Sequence, residues 1–473
     1  LDTLSHASRR GAKIVTFNPL KERGLERFTN PQSAVEMLSG GATKITSQYF
    51  TPNLGGDMAA VRGMVKILLA RHEQAEFNGE KLFNLDFIAS QTQGLDAYLT
   101  EVKSTSWQKI TMQSGLSQAE ITQAADIYQA AQKVIFTWAM GITQHKHSVA
   151  TIREMTNLQL LFGHIGKQGA GLCPVRGHSN VQGDRTMGIN EKPSSTFLDA
   201  LARRFDFKPP IKHGHNTVQA INALLNGQSK AFVALGGNFV AATPDSQLSQ
   251  QALTNCQLTV NIATKLNRTH LYPGKVSLVL PCLGRTDIDI QQSGPQRVTV
   301  EDSFSMVHAS SGVVKSDTAM MKSEPDIIAG IAQATVGSDV VDWVELVKNY
   351  DDIRELIADV LPEFSGFNDK IDQPGGFYLG NSAAEYDWQS QNGKAQFSVD
   401  QLPESIISQS QRELTNNRIL VLQTLRSHDQ YNTTIYGFED RYRGISGERK
   451  IILLNEQDID DLGLRDGDLV DIE

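Results

Sequence analysis

The chain has 473 residues, of which 40% are hydrophobic and 21% charged, with a formal net charge of −9. This length fits roughly two to four domains of ~100–200 residues each. The acidic balance without a basic stripe argues against a nucleic-acid partner, and no apolar run reaches the ~18 residues that would span a bilayer.

Leu4 to Arg10 reads as a helix end stopped at Gly11, and the β-branched run Lys13 to Phe17 as a strand closed by the turn Asn18-Pro19. A ligand of an open α/β sheet sits beyond the carboxyl ends of its strands, so Asn18 is a candidate contact as well as a turn residue. Gly55-Gly56-Asp57 opens a helix from Met58 to about His72. Asp57 there reads as an N-cap, and the doubled glycine also makes a natural anion or amide site. Residues 73–133 look helical and peripheral, with a break at Ser114-Gly115.

Val134 to Met140 reads as a buried strand ending at Gly141, followed by the polar cluster Thr143, Gln144 and His145. An amphipathic helix, Val149 to Phe162, comes next. The chain then turns glycine-rich from Gly163 to Gly188, with Arg176, His178, Asn180, Gln182, Asp184 and Arg185 interleaved. Such a segment is either a solvated loop or a cradle in which backbone, amides and guanidinium groups approach a flat, phosphate-bearing ligand. GxGxxG is absent, so an ordinary dinucleotide turn is excluded.

After a helix at Thr217 to Leu225, strands are expected at Lys230–Leu235, Gln257–Ile262 and Val276–Leu280. Their tips carry Asn238 and Thr243, then Thr264 and Lys265, small or polar residues that an open parallel sheet would gather at one crevice. Residues 284–324 are polar and β-leaning. Helices follow at Pro325–Thr335 and Trp343–Leu361, and then a loop-rich stretch marks a domain boundary. RILVLQTL, RKIILLN and LVDIE read as strands of a small β-barrel cut off before closure. Leu1 is not a methionine and Glu473 falls inside an expected strand, so the chain is expected to be an internal-to-C-terminal piece of a longer polypeptide. Cys173, Cys256 and Cys282 form no CxxC pair, which favours a reducing, cytoplasmic setting.

WAMGITQH, LLFGHIGKQGAGLCPVRGHSNVQGDRTMG, ALGGNFVAATPD, TKLNRTH, VLPCLGRTDIDIQQSGPQRVTVEDS and LRSHDQYNTTIYG together resemble the molybdopterin oxidoreductases of the dimethyl sulfoxide reductase superfamily. The resemblance covers essentially the whole chain and is strongest to the YdeP-like branch grouped with formate dehydrogenase alpha subunits. It implies an α/β fold: doubly wound parallel-sheet domains, expected at 1–140 and 141–415, followed by part of a β-barrel domain at 416–473. It also implies a bis(molybdopterin guanine dinucleotide) cofactor with molybdenum, or less often tungsten. The cofactor-binding positions it implies are Asn18, Leu20, Gly56, Asp57, Gly141, Thr143, Gln144, Gly177, His178, Asn180 and Gln182. Further along they are Asn238, Thr243, Asn261, Thr264, Lys265, Arg426, Ser427, Gln430 and Asn432.

Two departures stand out by this resemblance: His178 replaces the glutamine of RGQ, and Phe239 the proline of GxNP. Cys173 is expected to be structural, because the family's metal ligand comes from an earlier segment, along with iron–sulfur cysteines where members have them. Arg176 matches the arginine that orients the substrate anion in formate dehydrogenases of the superfamily. The implied reaction is formate to CO2 with two electrons passing to an acceptor, and this stretch alone is expected to be inactive. The readings left open are a reductase of another small oxo-substrate and a low-turnover cofactor-binding protein in acid or stress tolerance. No NAD fingerprint is visible, and nothing in the sequence fixes the electron-transfer partner.

Overall fold

A computed structural model describes residues 1–30, 32–316, 320–404, 420–440 and 442–472. The chain divides into two compact units, Leu1–Leu54 with Ile407–Glu473, and Gly55–Ile406. In the first unit the KIVTF run supplies β1 (Val15–Phe17), which pairs in parallel with β2 (Gln48–Phe50).

The second unit opens with a helical layer. The helix after the double glycine, α1 (Asp57–Phe77), is buried at every position from Met58 to Val65. It packs with α3 (Trp107–Ser114), α4 (Gln118–Ala130) and α5 (Ser148–Leu161), and α2 (Leu95–Ser104) lies against it. Residues 73–133 are therefore not peripheral. Val65, Leu68, Ile110, Ala125, Leu158 and Leu161 are fully buried, and removing such side chains from water is the main favourable term in folding. Gly115 closes α3 at φ +70, the left-handed cap that a β-carbon disfavours.

Inside this apolar layer sits a charged pair. Arg62 is 0% and Glu154 1% exposed. The guanidinium grips the carboxylate with Nε to Oε1 at 2.6 Å and Nη2 to Oε2 at 2.8 Å. Tyr98 donates its hydroxyl to the same carboxylate at 2.8 Å, and Arg62 also donates to Thr105 Oγ1 and the Asp400 carbonyl.

The parallel strands are divided among small sheets instead of forming one continuous sheet. β3 (Ile135–Trp138) pairs with β4 (Gly171–Pro174), Trp138 opposite Pro174. Gln159 of α5 ties that pair down, its Nε2 donating to the carbonyls of Val134 (3.0 Å) and Gly171 (2.8 Å). β5 (Ala231–Leu235), β6 (Leu258–Ala263) and β7 (Val276–Pro281) form a second parallel sheet with β6 central and the most buried.

The β-leaning stretch becomes the antiparallel pair β8 (Val298–Glu301) and β9 (Met306–Ser310), extended by β10 (Phe377–Tyr378). The single helix expected over 343–361 is two, Trp343–Leu346 and Tyr350–Val360. Asn349 breaks it by accepting from the Asp351 amide as a cap. Residues 395–396 return to pair in parallel with 92–93.

At the carboxyl end, β11 (Gln430–Tyr431) and β12 (Thr434–Ile435) form one short ribbon. The strands expected at 418–425, 449–455 and 469–473 do not form among their described residues, and 418–419 and 473 lie outside those. Leu420, Leu422, Leu453 and Leu469 are exposed. A strand draws its hydrogen bonds from a neighbour, and an apolar run in sequence does not supply one.

Candidate functional site

The two central loops leave from adjacent strand ends. Beyond β3 a single turn, Met140–Thr143, carries Gly141, Thr143 and Gln144 at the surface. Beyond β4, the Val175 amide donates to the Trp138 carbonyl at 2.7 Å, so the second loop starts beside the first. A β-carbon on Gly177 would lie 3.9 Å from Met140 Cε. Arg176, Gly177 and His178 are exposed, and Arg176 Nη2 donates to Gln182 Oε1 at 2.8 Å.

The rest of this loop is internally braced. Asn180 adopts φ +65, and its Oδ1 would sit 2.1 Å from a β-carbon on Gly183, so a side chain there would have to displace the Asn180 amide. The same Oδ1 accepts from the Glu301 amide at 3.0 Å. Glu301 was not legible as a site residue. Its carboxylate, 6% exposed, accepts from Thr186 Oγ1 at 2.6 Å. Burial pushes its pKa up, while Thr186, Gln182 and the Arg176 charge oppose the shift.

Two further polar groups lie here, His145 of the polar cluster read in the sequence and Trp138, which was read only as part of the strand. Trp138 Nε1 and His145 Nε2 are buried without a hydrogen-bond partner. His145 Nδ1 accepts from the His147 amide at 3.2 Å, which puts the ring proton of the neutral imidazole on Nε2. Burial pushes the His145 pKa down, favouring that neutral form. Two donors lacking acceptors cost about 1–3 kcal/mol each, so these loops suit a ligand rich in acceptor atoms.

A second group gathers at the tips of β5 and β6. Asn238 Oδ1 accepts from Thr269 Oγ1 at 3.3 Å, and Asn267 Nδ2 donates to the Gly237 carbonyl at 2.7 Å. Thr264 and Lys265 are exposed beyond β6, whereas Asn261 lies within that strand and is buried. The Thr243 hydroxyl is engaged by Ser249 at 2.6 Å. Phe239 packs on Phe232 in a small core, which explains why a ring fits where proline is usual. His270 Nε2 is another buried atom without a partner.

At the start of α1, Gly56 is the N-cap and Asp57 opens the first turn. Desolvation pushes the Asp57 carboxyl up to about 6. A folded-state pKa above the unfolded one lets the native state hold its proton longer, so stability falls as pH rises from about 4 through 6. Asp57→Asn is therefore expected to stabilise the chain by ~1–3 kcal/mol above pH 6.5 and to change little near pH 4. Urea midpoints at the two pH values check this.

The third group belongs to the first unit. The Asn18 amide donates to the Phe50 carbonyl at 3.1 Å, its side chain bonds Tyr49, and the Leu20 carbonyl accepts from the Tyr49 hydroxyl at 2.7 Å. Arg426 donates to the Asn432 carbonyl at 3.3 Å. Ser427 accepts from Arg449, Gln430 begins β11, and Asn432 turns the ribbon at φ +52. Arg443 joins the two ends of the chain, donating to Glu22 at 2.6 Å and to the Arg426 carbonyl at 3.0 Å.

Cys173 lies in β4 with its thiol pKa raised by burial, a protonated group in a strand. Among the described residues, no helix is long and apolar enough to cross a membrane.

No family model matches the chain. Protein YdeP of Escherichia coli (strain K12) is 46% identical over 473 residues, covering all of this chain and 62% of the relative. The chain thus spans about three fifths of that protein's length. Formate dehydrogenase H of the same organism is 26% identical over 264 residues, covering 54% of this chain and 33% of that one. Among solved structures, acetylene hydratase from Pelobacter acetylenicus aligns with a TM-score of 0.54 at 18% identity, covering 84% of this chain and 52% of the other. That likeness shows the fold.

Proposed function

This chain belongs to the YdeP-like branch of the molybdopterin oxidoreductase superfamily, and from that premise we propose that the whole protein oxidises formate to CO2, delivering two electrons to an acceptor, on a bis(molybdopterin guanine dinucleotide) cofactor. The observation that carries the reading is the pair of neighbouring strand ends. There the 141–145 and 176–182 loops lie side by side, with Arg176 exposed and the donors of Trp138 and His145 unsatisfied.

The residues present fit such a group. Trp138, Gln144, His145 and His178 offer donors to a pterin and its phosphates, and Asn238, Thr264 and Lys265 offer them at the second sheet. A desolvated carboxylate at Asp57 gains from a ligand edge made of donors, as a guanine base presents. When bound, the group would supply the two-electron redox centre. The chain's own part is to bind it, exclude water and orient substrate. Arg176 presents a planar fork whose geometry matches a carboxylate.

Formate-dependent dye reduction by molybdenum-loaded full-length protein tests the reading. The expected result is saturable turnover with formate. No turnover with formate, but reduction of small oxo-compounds from a reduced viologen, would assign the reductase activity instead. Inactivity in both assays would leave a cofactor-binding role.

A further inference from the structure

We propose that the buried Arg62–Glu154 pair is the latch of a strap, residues 397–402, which opens to solvent on its own while the helical layer beneath it stays folded. The strap follows the short pairing of 395–396 with 92–93. Its first amide, that of Phe397, still donates to the Gln93 carbonyl at 2.9 Å, but residues 397–402 belong to no strand. Side chains meet its backbone instead. Asn157 of α5 imitates a strand neighbour: Nδ2 donates to the Ser398 carbonyl at 2.9 Å, and Oδ1 accepts from the Ser398 amide at 3.1 Å. Two residues on, the Asp400 carbonyl accepts from Arg62 Nη2 at 2.9 Å. Phe397 stacks on Tyr98 with ring centroids 5.6 Å apart, and Leu402 is buried, while Val399 and Gln401 are exposed.

The carboxylate decides how the Arg62 bond to the strap is aimed. A guanidinium holds five donors in one rigid plane. Glu154 takes Nε and one hydrogen of Nη2, and Thr105 takes Nη1, which leaves the second hydrogen of Nη2 for Asp400. Glu154 and Asn157 stand three residues apart on α5, so one face of that helix carries both the anchor of the latch and the amide that grips Ser398. Replacing a buried ion pair by apolar side chains of similar volume is often neutral for stability or better. Apolar side chains would fill the layer but offer no donor to the Asp400 carbonyl. The distinct contribution of the pair is therefore to the strap.

Upstream the chain is fastened separately. Trp388 Nε1 donates to Gln91 Oε1 at 3.0 Å, and Lys394 Nζ to the Ala89 carbonyl at 2.8 Å. Opening is thereby confined to the strap. A segment held by so few backbone bonds opens at a free energy below that of global unfolding. The stretch by which the chain leaves the helical layer thus has a docked and an undocked state of its own.

Hydrogen exchange of the full-length protein, read by mass spectrometry on peptides from 395–402 and from α5, tests the latch. In wild type, exchange of the Phe397 and Ser398 amides is expected to be nearly independent of urea below the unfolding transition, whereas α5 follows the global slope. In the paired replacement Arg62→Met with Glu154→Leu, the ratio of strap to α5 exchange rates is expected to rise about ten- to a hundredfold, the equivalent of one hydrogen bond to a charged group. An unchanged ratio, whether both segments loosen or neither does, overturns the proposal. Strap amides that share the urea slope of α5 overturn it on wild-type protein alone, whether or not the variant folds.

Discussion

Glu154→Ala is expected to destabilise the second unit by about 3–5 kcal/mol, read as a lower urea midpoint with an unchanged slope. The cause is not the loss of one contact. Arg62 is fully buried, and the carboxylate of Glu154 receives both arms of its guanidinium as well as the Tyr98 hydroxyl. Removing it strands a cation in an apolar helical layer, and desolvation of that cation then goes uncompensated. Glu101 lies 3.6 Å from Nη1 and is part exposed, too distant for the two-armed geometry. The paired replacement Arg62→Met with Glu154→Leu removes both charges and is expected to recover much of the loss. A double variant no more stable than Glu154→Ala would show that the other partners, Tyr98, Thr105 and the Asp400 carbonyl, dominate the site.

Arg176→Lys is expected to lower kcat/KM for formate by about 10²–10³-fold, the usual cost of removing a donor aimed at developing charge. Lysine keeps the charge but replaces a rigid fork with a point ammonium. The melting temperature should stay near wild type, because Arg176 is exposed and donates to Gln182 on the surface of the loop. A lysine variant with wild-type kcat/KM would show that Arg176 supplies only positive potential, or holds the cofactor alone.

The elements around the site were readable where local chemistry decided them. α5 follows from its apolar spacing and the turn after β3 from Gly141, whereas the bracing of Asn180 against Glu301 was not legible in the glycine-rich stretch. Arg62 and Glu154 were not readable, because a charged residue in a helix normally marks the solvent face. The signal lay in α1 itself, apolar on every side from Met58 to Val65, so that a charge within it needed a buried partner. Glu301 was hidden for a related reason. It closes an alternating strand, VTVE, where a polar end residue usually faces water, and its partners lie more than a hundred residues earlier. The barrel strands failed in the opposite direction. RILVLQTL and RKIILLN satisfy strand composition, but pairing is a property of neighbours that composition does not contain.

The Glu22–Arg443 ion pair, whose partners lie 421 positions apart, has a consequence for the order of events during synthesis. At ~5–20 residues per second, Glu22 waits roughly 20–80 s on the ribosome before Arg443 exists. Gly55–Ile406 can gather its own core during that delay, since its contacts are internal. Residues 1–54, made before the larger unit, are thus completed after it. A ribosome stalled before residue 443 should display a protease-sensitive 1–54 segment together with an already protected helical layer.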